Sequence, residues 1–394
     1  MSITLQGKYN TASVFTDNID SETISQIIEL CNQEFIKDSK IRIMPDCHAG
    51  KGCVVGTTMT LTDKVVPNLV GVDIGCGMYA VKLEEDSIDF KHLDDVINKF
   101  VPSGFSIHDK AVNDYKGLLE YTCSIDIENA RKSLGTLGGG NHFIEVDKDK
   151  DGVLWLVIHT GSRHLGMEVC NHYQKAGYTE LSQNRSKIKD VVAELKEQGR
   201  YTEIEDTIKK LKAEIPRIPE HLAYVEDHLF DDYIHDMALT QAYAKLNRST
   251  IARIIIDKMK LHTVEQFDTI HNYIDIDNMI LRKGSISAAK DEKVIIPMNM
   301  RDGSLICLGK GNPEWNYSAP HGAGRIMSRS QAKENVDFEE FKESMNGIYS
   351  TSVVESTIDE SPMVYKPIEE IMENVRDTVE IIDVIKPIYN FKAH

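Results

Sequence analysis

Short glycine-rich segments that carry histidine, cysteine or aspartate recur along this 394-residue chain, and they constrain its fold more than any other feature. They occupy 46–52, 71–77, 137–145, 159–163 and 318–325, and a further histidine follows at 269–273. Glycine lets a backbone approach a ligand closely, and imidazole, thiolate and carboxylate groups bind metal ions. Because these residues extend from Asp46 to Arg325 with no dividing linker or repeat, the sequence predicts one interwoven domain over 1–394.

The pattern of apolar residues predicts an α+β fold with mixed sheets. Periodicity predicts helices over 21–36 and 230–258, and a final helix over Ile368–Ile385. Strands are predicted from β-prone runs within 41–80 (Leu69-Val70 among them), from a hairpin of Phe143–Val146 and Val153–Ile158, and from 278–310. Residues 184–215 are rich in Lys and Glu and break at Gly199, which predicts a helical hairpin that projects from the core.

The composition narrows the class of protein. Lys and Arg number 45 against 62 Asp and Glu, and the net charge of −17 argues against a non-specific nucleic-acid coat. A nucleic-acid substrate held in a locally positive cleft stays compatible with that charge. Seven cysteines without a CxxC pair, the lack of a signal-peptide pattern and the lack of a membrane-spanning run predict a soluble, cytoplasmic protein with no membrane partner.

Five residues are candidate metal ligands: Asp73, Cys76, His142, His159 and His271. A thiolate can bridge two cations, and a carboxylate three residues away can bind one of them. Taken singly, each has an ordinary alternative, such as a small buried cysteine in a turn or a structural histidine at a strand end. Together they favour a metal site, and sulfur with imidazole suggests zinc or iron before manganese.

His321 lies in the run Ser318-Ala319-Pro320-His321-Gly322-Ala323-Gly324-Arg325, where small residues leave room for a bulky anion. Imidazole is a nucleophile that can carry a phosphoryl or nucleotidyl group. The residues alone therefore predict a metal site beside a phosphate-binding histidine, and they do not specify a reaction.

The motifs PDCHAGKG, GVDIGCG, GNHFIE, HTGSR, HNY, RKG and HGAGR occur in this order from about residue 41 onward. This set resembles the RtcB family of RNA-splicing and RNA-repair ligases. The resemblance implies a single RtcB-like domain in which mixed sheets surround a two-metal cleft. It also implies a GTP- and Mn²⁺-dependent ligase that joins an RNA 3′-phosphate or 2′,3′-cyclic phosphate end to a 5′-hydroxyl end. An archease-like activator is a further implied partner.

The resemblance also implies a role for individual residues. Cys76 would bridge two Mn²⁺ ions, with Asp73 and His142 on the first ion and His159 and His271 on the second. His321 would accept GMP covalently, and the RNA 3′ end would then be activated with GMP. Residues implied to contact the nucleotide are Asn141, Phe143, Glu145, Asn272, Pro297, Met298, Asn299, Met300, Ser304, Gly322, Ala323, Gly324 and Lys392. Residues implied to aid RNA or phosphate chemistry are Asp46, Arg163, Lys283 and Arg325.

Two alternative functions stay open at this point. In the segment 297–301, Met298 and Arg301 replace two glycines of the family pattern, which motivates a metal-dependent cyclic-phosphate hydrolase or phosphodiesterase that joins RNA poorly or not at all. The acidic composition and the 184–215 hairpin motivate a non-catalytic protein that binds RNA ends.

Overall fold

The computed structural model describes the backbone of residues 2–214 and 218–393, and the side chains of these residues apart from 183–190 and 211–214. It shows helices packed against several sheets, which confirms the predicted α+β class. The strands are β1 (Ile3–Gln6), β2 (Thr11–Val14), β3 (Ile41–His48), β4 (Val55–Thr60), β5 (Gly77–Leu83), β6 (Phe143–Lys148), β7 (Leu154–Thr160), β8 (Thr263–Ile270), β9 (Asn272–Asp275), β10 (Ile280–Lys283), β11 (Ser285–Ser287), β12 (Lys293–Asn299), β13 (Gly303–Gly309), β14 (Ser318–Pro320) and β15 (Val379–Lys392). The helices are α1 (Ser21–Cys31), α2 (Pro67–Val70), α3 (Phe90–Phe100), α4 (Ile127–Ser133), α5 (Arg163–Glu197), α6 (Ile204–Glu214), α7 (Asp227–Met259), α8 (Arg329–Asn335), α9 (Phe338–Ser344) and α10 (Ile368–Asn374).

The strands form two large sheets and a short two-stranded one. The first has the order β1-β2-β3-β4-β10-β9, with β2 and β3 parallel and the other neighbours antiparallel. The second is antiparallel throughout, with the order β12-β13-β15-β6-β7-β5-β8. β11 pairs with β14 in the short sheet. The last strand is therefore hydrogen-bonded to β6, which lies more than 200 residues earlier in the chain.

Helix α7 fixes the loops at one end of the second sheet. Its apolar face includes Ile251 and Ile255, which are buried in one cluster with side chains of β5, β6 and β7. The fully buried Arg248 donates to the carbonyl oxygens of Gly75 (2.6 Å) and Thr160 (2.9 Å) and pairs with Asp268 at 2.6 Å. A buried charge costs little when its donors are satisfied in this way. The turn before β5 and the end of β7 are thus tied to the same helix.

Most of the predicted elements are present. α7 covers the helix predicted over 230–258, and β6 with β7 forms the predicted hairpin. The helix predicted over 21–36 is α1 followed by a separate 3₁₀ turn at Glu34–Ile36, and β10 to β13 lie within 278–310.

Two local predictions are wrong. The helix predicted over Ile368–Ile385 ends at Asn374, and residues from Val379 belong to the long strand β15. The run from Val379 to Ile385 is rich in β-branched residues, and β15 pairs with β13 along this stretch, which outweighs the helical spacing. Leu69-Val70, predicted as strand, lies in α2, which begins with a proline at its first turn.

The predicted hairpin at 184–215 coincides with the second half of α5 and with α6, which contact each other. The break lies between Glu197 and Ile204, where Gly199 has a φ of 72°. Residue 215 and several side chains of this segment lie outside the described residues, and both the projection of the hairpin and the single-domain organisation stay predictions. Within the described part of the chain, no helix is both long and apolar enough to cross a membrane.

Candidate functional site

Four of the five candidate metal ligands lie at one end of four adjacent strands. Cys76 directly precedes β5, His142 precedes β6, His159 is the second-last residue of β7, and His271 follows β8. In the sheet register Met78 is opposite His159, and Gly77 is opposite both Thr160 and Ile270. The antiparallel register therefore brings residues far apart in sequence to one sheet edge.

The ligand atoms of these residues form two groups that share the cysteine. Asp73, Cys76 and His142 form one group, and Cys76, His159 and His271 form the other, with the ligand atoms in each within 4.8 Å of one another. The Cys76 Sγ lies 3.5 Å from the His142 Nε2 and 3.4 Å from the His159 Nε2. The His159 and His271 Nε2 atoms are 3.4 Å apart. This is a shared-thiolate arrangement that two metal ions can occupy.

Backbone carbonyls orient two of the rings. The His142 Nδ1 lies 2.9 Å from the Leu137 oxygen, and the His159 Nδ1 lies 3.2 Å from the Asn141 oxygen. A metal-binding histidine commonly donates one ring N–H to such an acceptor, which leaves the other nitrogen for the ion. In both residues that other nitrogen is Nε2, the atom that faces Cys76.

The donor chemistry fits a divalent transition metal. The His142 ring has an acceptor at each nitrogen, the Leu137 oxygen at Nδ1 and the Asp73 Oδ2 at 3.0 Å from Nε2. A neutral imidazole has only one N–H to donate, whereas a cation between Nε2 and the carboxylate satisfies both groups. The His271 Nδ1 is also buried, and it has no hydrogen-bond partner among the described residues.

The electrostatics of the ligands differ from one residue to the next. Burial lowers the pKa of His159 and His271 well below the usual value, so both rings are neutral and carry a free lone pair. Burial opposes ionisation of Asp73, but its contacts with His142 and the charge of Arg163 outweigh that effect and lower its pKa. Burial, with the charge of Asp73, raises the pKa of the Cys76 thiol well above its usual value. Because metal binding requires the thiolate, uptake of the ion should release a proton.

At two positions of this site the backbone lies so close to a charged side chain that glycine is needed. A Cβ on Gly161 would lie 2.1 Å from the Asp73 carboxylate, and a Cβ on Gly138 would lie 1.7 Å from the Arg163 guanidinium. Any side chain at either position would displace a charged group beside the ligands.

His321 adjoins the metal ligands and is held by one carboxylate. Its Nδ1 lies 2.7 Å from the Asp46 Oδ2, which also accepts the backbone N–H groups of His321 (3.1 Å) and Gly322 (3.2 Å). The His321 ring centroid is 4.8 Å from that of His271. Because Nδ1 donates to Asp46, the lone pair of the neutral ring is on Nε2.

His321 lies in the wall between two cavities, which we call cavity A and cavity B. Cavity A has a volume of about 260 Å³ and contains most of the residues predicted to contact a nucleotide. These are Asn141, Phe143, Glu145, Pro297, Met298, Asn299, Met300, Gly322, Ala323, Gly324 and Lys392. Cavity B has a volume of about 270 Å³ and contains the ligands Asp73, Cys76 and His271. His48, Asn141 and His321 line both cavities.

Two of the predicted nucleotide contacts lie elsewhere. Asn272 lines cavity B, where its side chain accepts the Gly284 N–H at 2.8 Å. Ser304 lines neither cavity, and its neighbour Gly303 lines cavity A instead. On β13 the Ser304 side chain is fully buried, as expected for a strand interior in which alternate residues face opposite sides.

The four residues predicted to aid RNA or phosphate chemistry separate into different surroundings. Lys283 lines cavity B, donates to two backbone carbonyls at 2.7 Å, and has its pKa lowered to about 8 by burial. Arg325 lines cavity A and contacts Glu360 at 3.4 Å. Arg163 lines neither cavity, and its Nη1 lies 3.5 Å from the His142 Nδ1. Asp46 is fully buried behind His321.

Several cavity residues were missed by the sequence reasoning. His48 belongs to the 46–52 segment, but nothing in that segment indicated that its ring would face both cavities. Glu360 is buried, and it accepts from Lys392 (2.9 Å), Tyr365 (2.8 Å) and Arg329 (2.8 Å) at the wall of cavity A. Unlike His48, the residues Glu360, Tyr365 and Arg329 carry no glycine motif or metal-ligand spacing, so no local pattern marked them.

Two acids on β6 extend from cavity A into the interior. Glu145 accepts from Asn390 at 2.6 Å, and the next residue on the same face, Asp147, is fully buried, with no hydrogen-bond partner for either carboxylate oxygen among the residues that the structure describes. Burial raises the pKa of both, and their mutual repulsion raises that of Asp147 further. Asp147 is therefore held in its protonated form.

Asp147→Asn should make the protein more stable than wild type at alkaline pH. A pKa raised in the folded state means that stability is lost as pH rises from about 4, the unfolded value, through the folded value, at up to about 1.4 kcal/mol per pH unit. The free energy of unfolding is measured by denaturant titration at pH 5 and pH 8. It should be higher for the variant than for wild type at pH 8, and this difference should be larger at pH 8 than at pH 5. Asp151→Asn, at an exposed turn position, is the control. Parallel pH dependences for wild type and Asp147→Asn would contradict the account of this residue.

Known proteins match this chain over most of its length. The profile of the family described as "tRNA-splicing ligase RtcB" matches residues 26–130 and 119–393. The RNA-splicing ligase RtcB of Escherichia coli K12 is 29% identical over 423 aligned residues, which cover 95% of each chain. The tRNA-splicing ligases RtcB of Aeropyrum pernix (26% identical, 84% of this chain and 83% of its own) and Methanococcus maripaludis (25%, 94% and 91%) are also similar. Because the family profile matches most residues of this chain, the chain belongs to the RtcB family of tRNA-splicing ligases, and the identities of 25–29% make it a divergent member.

Proposed function

We propose that this protein joins an RNA 3′-phosphate or 2′,3′-cyclic phosphate end to a 5′-hydroxyl end, using GTP and two Mn²⁺ ions. The observation that carries the proposal is the position of His321, in the wall between cavity A, which contains most of the predicted nucleotide contacts, and cavity B, which contains three of the metal ligands. A histidine in that wall can take a nucleotidyl group from one side and present it to RNA on the other.

The five ligands would hold the two ions through the shared Cys76, with Asp73 and His142 on one and His159 and His271 on the other. Mn²⁺, when bound, offsets charge that develops on phosphate oxygens. The carboxylate of Asp73 is a ligand type that suits Mn²⁺, whereas the thiolate and the imidazoles would equally suit Zn²⁺.

The reaction then follows from the orientation of His321. Its Nε2 lone pair attacks the α-phosphorus of GTP, an N–P bond forms, and the P–O bond to pyrophosphate breaks. Asp46 keeps the ring proton on Nδ1 and stabilises the positive charge that the ring acquires. A 3′-phosphate oxygen of RNA next attacks the phosphorus of the GMP group, the N–P bond breaks, and the RNA end is activated with GMP.

In the last step the 5′-hydroxyl attacks the RNA phosphate, a phosphodiester forms, and GMP leaves. A cyclic end must first be opened by water to a 3′-phosphate. Covalent catalysis of this kind divides one difficult substitution into easier ones.

The walls of cavity A suit a nucleotide. Phe143 offers a ring, and the Lys392 Nζ lies 5.5 Å from its centroid. Arg325 and Arg329 supply positive charge on the Glu360 side. Met298 and Met300, whose side chains are buried, line the cavity without closing it.

A ligation assay tests the proposal. A nicked RNA with 3′-phosphate and 5′-hydroxyl ends, GTP and Mn²⁺ should yield joined strands and one GMP for each joint, with an archease-like activator included in a parallel reaction. A second RNA that ends in a 2′,3′-cyclic phosphate is tested alongside, and opening of that phosphate with no joining of either RNA would instead support the hydrolase alternative. RNA binding with no chemistry at all would support a non-catalytic role.

Asp46→Asn should slow covalent transfer of GMP by about 10²- to 10⁴-fold, because the amide can donate to Nδ1 and so favour the ring form without a lone pair on Nε2. Bound metal should stay at the wild-type level, since Asp46 is outside both ligand groups. Asp94→Asn, which neutralises another buried and hydrogen-bonded carboxylate, controls for a general loss of stability. A transfer rate within threefold of wild type would contradict the role of Asp46.

A further inference from the structure

Phe105 is an aromatic residue that the function proposed above does not use. Its side chain is fully exposed to solvent, whereas the other large apolar residues of its segment, Ile107 and Val112, are only partly exposed. Single exposed apolar residues are common on protein surfaces. Its position, and not its exposure alone, singles out this ring.

The backbone beneath Phe105 is fixed against the glycine loop that leads to the metal ligands. The Gly104 N–H donates to the Gly138 oxygen at 2.9 Å, and the Ser106 N–H donates to the Ser103 oxygen at 3.1 Å. The Gly104 oxygen accepts from the Arg163 Nη2 at 3.3 Å. The backbone that carries Phe105 is thus fixed against the loop, so less chain entropy is lost when a ligand binds there.

The same contacts place the ring close to the reaction site. A Cβ on Gly139 would lie 3.8 Å from the Gly104 Cα, so the backbones of Gly104 and Gly139 are in contact. Phe105 is one residue from Gly104 and Asn141 is two residues from Gly139, which limits the distance between the Phe105 and Asn141 Cα atoms to at most about 17 Å. Asn141 lines both cavities. The Arg163 guanidinium contacts Gly104, next to Phe105, through one nitrogen and His142 through another. A strand with its end at His321 can therefore reach Phe105 within a few nucleotides.

We propose that Phe105 is a stacking platform for an unpaired base of the RNA near the end that is joined. This inference rests on the proposed function, since it assumes an RNA end at His321. An aromatic ring stacks on any base, so the platform adds affinity without selecting a sequence. Stacking on a base does not depend on the charge of the protein, so it is available to a chain of net charge −17.

RNA binding to Phe105→Ala tests the platform. The probe is a short single-stranded RNA with a 3′-phosphate and a fluorescent 5′ label, and binding is followed by anisotropy at several salt concentrations. We expect Kd to rise about tenfold, as for the loss of one base–aromatic stack, and Phe105→Trp to restore it. The slope of log Kd against log salt should stay the same, since no phosphate contact is removed.

Tyr201→Ala is the matched control, because it removes an exposed aromatic ring from the turn between α5 and α6. It should bind RNA as wild type does. A Kd for Phe105→Ala within twofold of wild type, with an unchanged melting temperature, would overturn the proposal. So would an effect seen only when an activator protein is present, which would assign the ring to a protein partner.

Covalent GMP transfer to the wild-type protein needs no RNA and reports on the proposed function separately. If wild type fails to label or to join RNA while Phe105→Ala still weakens RNA binding, the ligase proposal fails, and Phe105 is retained only as a base contact of a protein that binds RNA without joining it. If wild type labels and joins RNA while the variant binds normally, only the platform fails. A wild type that binds no RNA overturns the platform as well.

Discussion

His321→Ala should abolish RNA joining, with a fall of at least about 10⁴-fold in the rate, since removal of a covalent nucleophile typically costs this much or more. No other described histidine combines contact with both cavities and a carboxylate on Nδ1, because the Nδ1 of His48 faces a backbone oxygen. The measurement is joining of RNA with 3′-phosphate and 5′-hydroxyl ends under single-turnover conditions.

His262→Ala is the control for this variant. His262 is exposed, its Nδ1 lies 3.0 Å from the Glu85 carboxylate, and neither residue lines cavity A or cavity B. It should join RNA at the wild-type rate. Joining by His321→Ala within tenfold of wild type would show that the reaction does not pass through this residue.

Cys76→Ala should lose metal and activity together. Cys76 belongs to both ligand groups, so its removal leaves two residues in each, Asp73 with His142 and His159 with His271. We expect wild type to bind two equivalents of Mn²⁺ in equilibrium dialysis and the variant at most one, with RNA joining reduced by at least about 10³-fold, since loss of a metal removes several kcal/mol of charge stabilisation.

Cys307→Ala is the matched control, because Cys307 is another fully buried cysteine but lies on β13 outside both ligand groups. It should keep two equivalents and full activity. Two equivalents of Mn²⁺ bound to Cys76→Ala would contradict the bridging role. Full occupancy by zinc with no response to Mn²⁺ in wild type would correct the identity of the ion.

The sequence predicted the site better than its surroundings, for a physical reason. Metal ligands at strand ends are marked locally, because a glycine turn, a ligand and an apolar strand occur within a few residues, as at Gly140-Asn141-His142-Phe143. Their convergence at one edge depends on the sheet register, which pairs β5 with both β7 and β8. No local pattern encodes that register, so the residues alone predicted the ligand types but not which ligands share the thiolate. The resemblance implied that pairing.

The errors arose where tertiary pairing decided the outcome. The helical spacing of Ile368–Ile385 was real up to Asn374, after which pairing with β13 and β6 imposed a strand. Ser304 was carried over by resemblance; its side chain is buried on β13 and its neighbour Gly303 lines cavity A, so a contact of Ser304 with the nucleotide stays a prediction. Glu360 ends one short 3₁₀ helix and Tyr365 directly follows the next, and the approach of this segment to Lys392 depends on the position of β15.

Transfer of label from α-labelled GTP to the wild-type protein tests the central claim most directly. Purified protein is incubated with labelled GTP and Mn²⁺, denatured, and analysed for label on the chain, and the labelled residue is then identified by peptide mapping. The account predicts one GMP on His321, stable to base and lost in acid as expected of a phosphoramidate. Label on a different residue, or none from a protein shown to contain two metal ions and to join RNA, would contradict it.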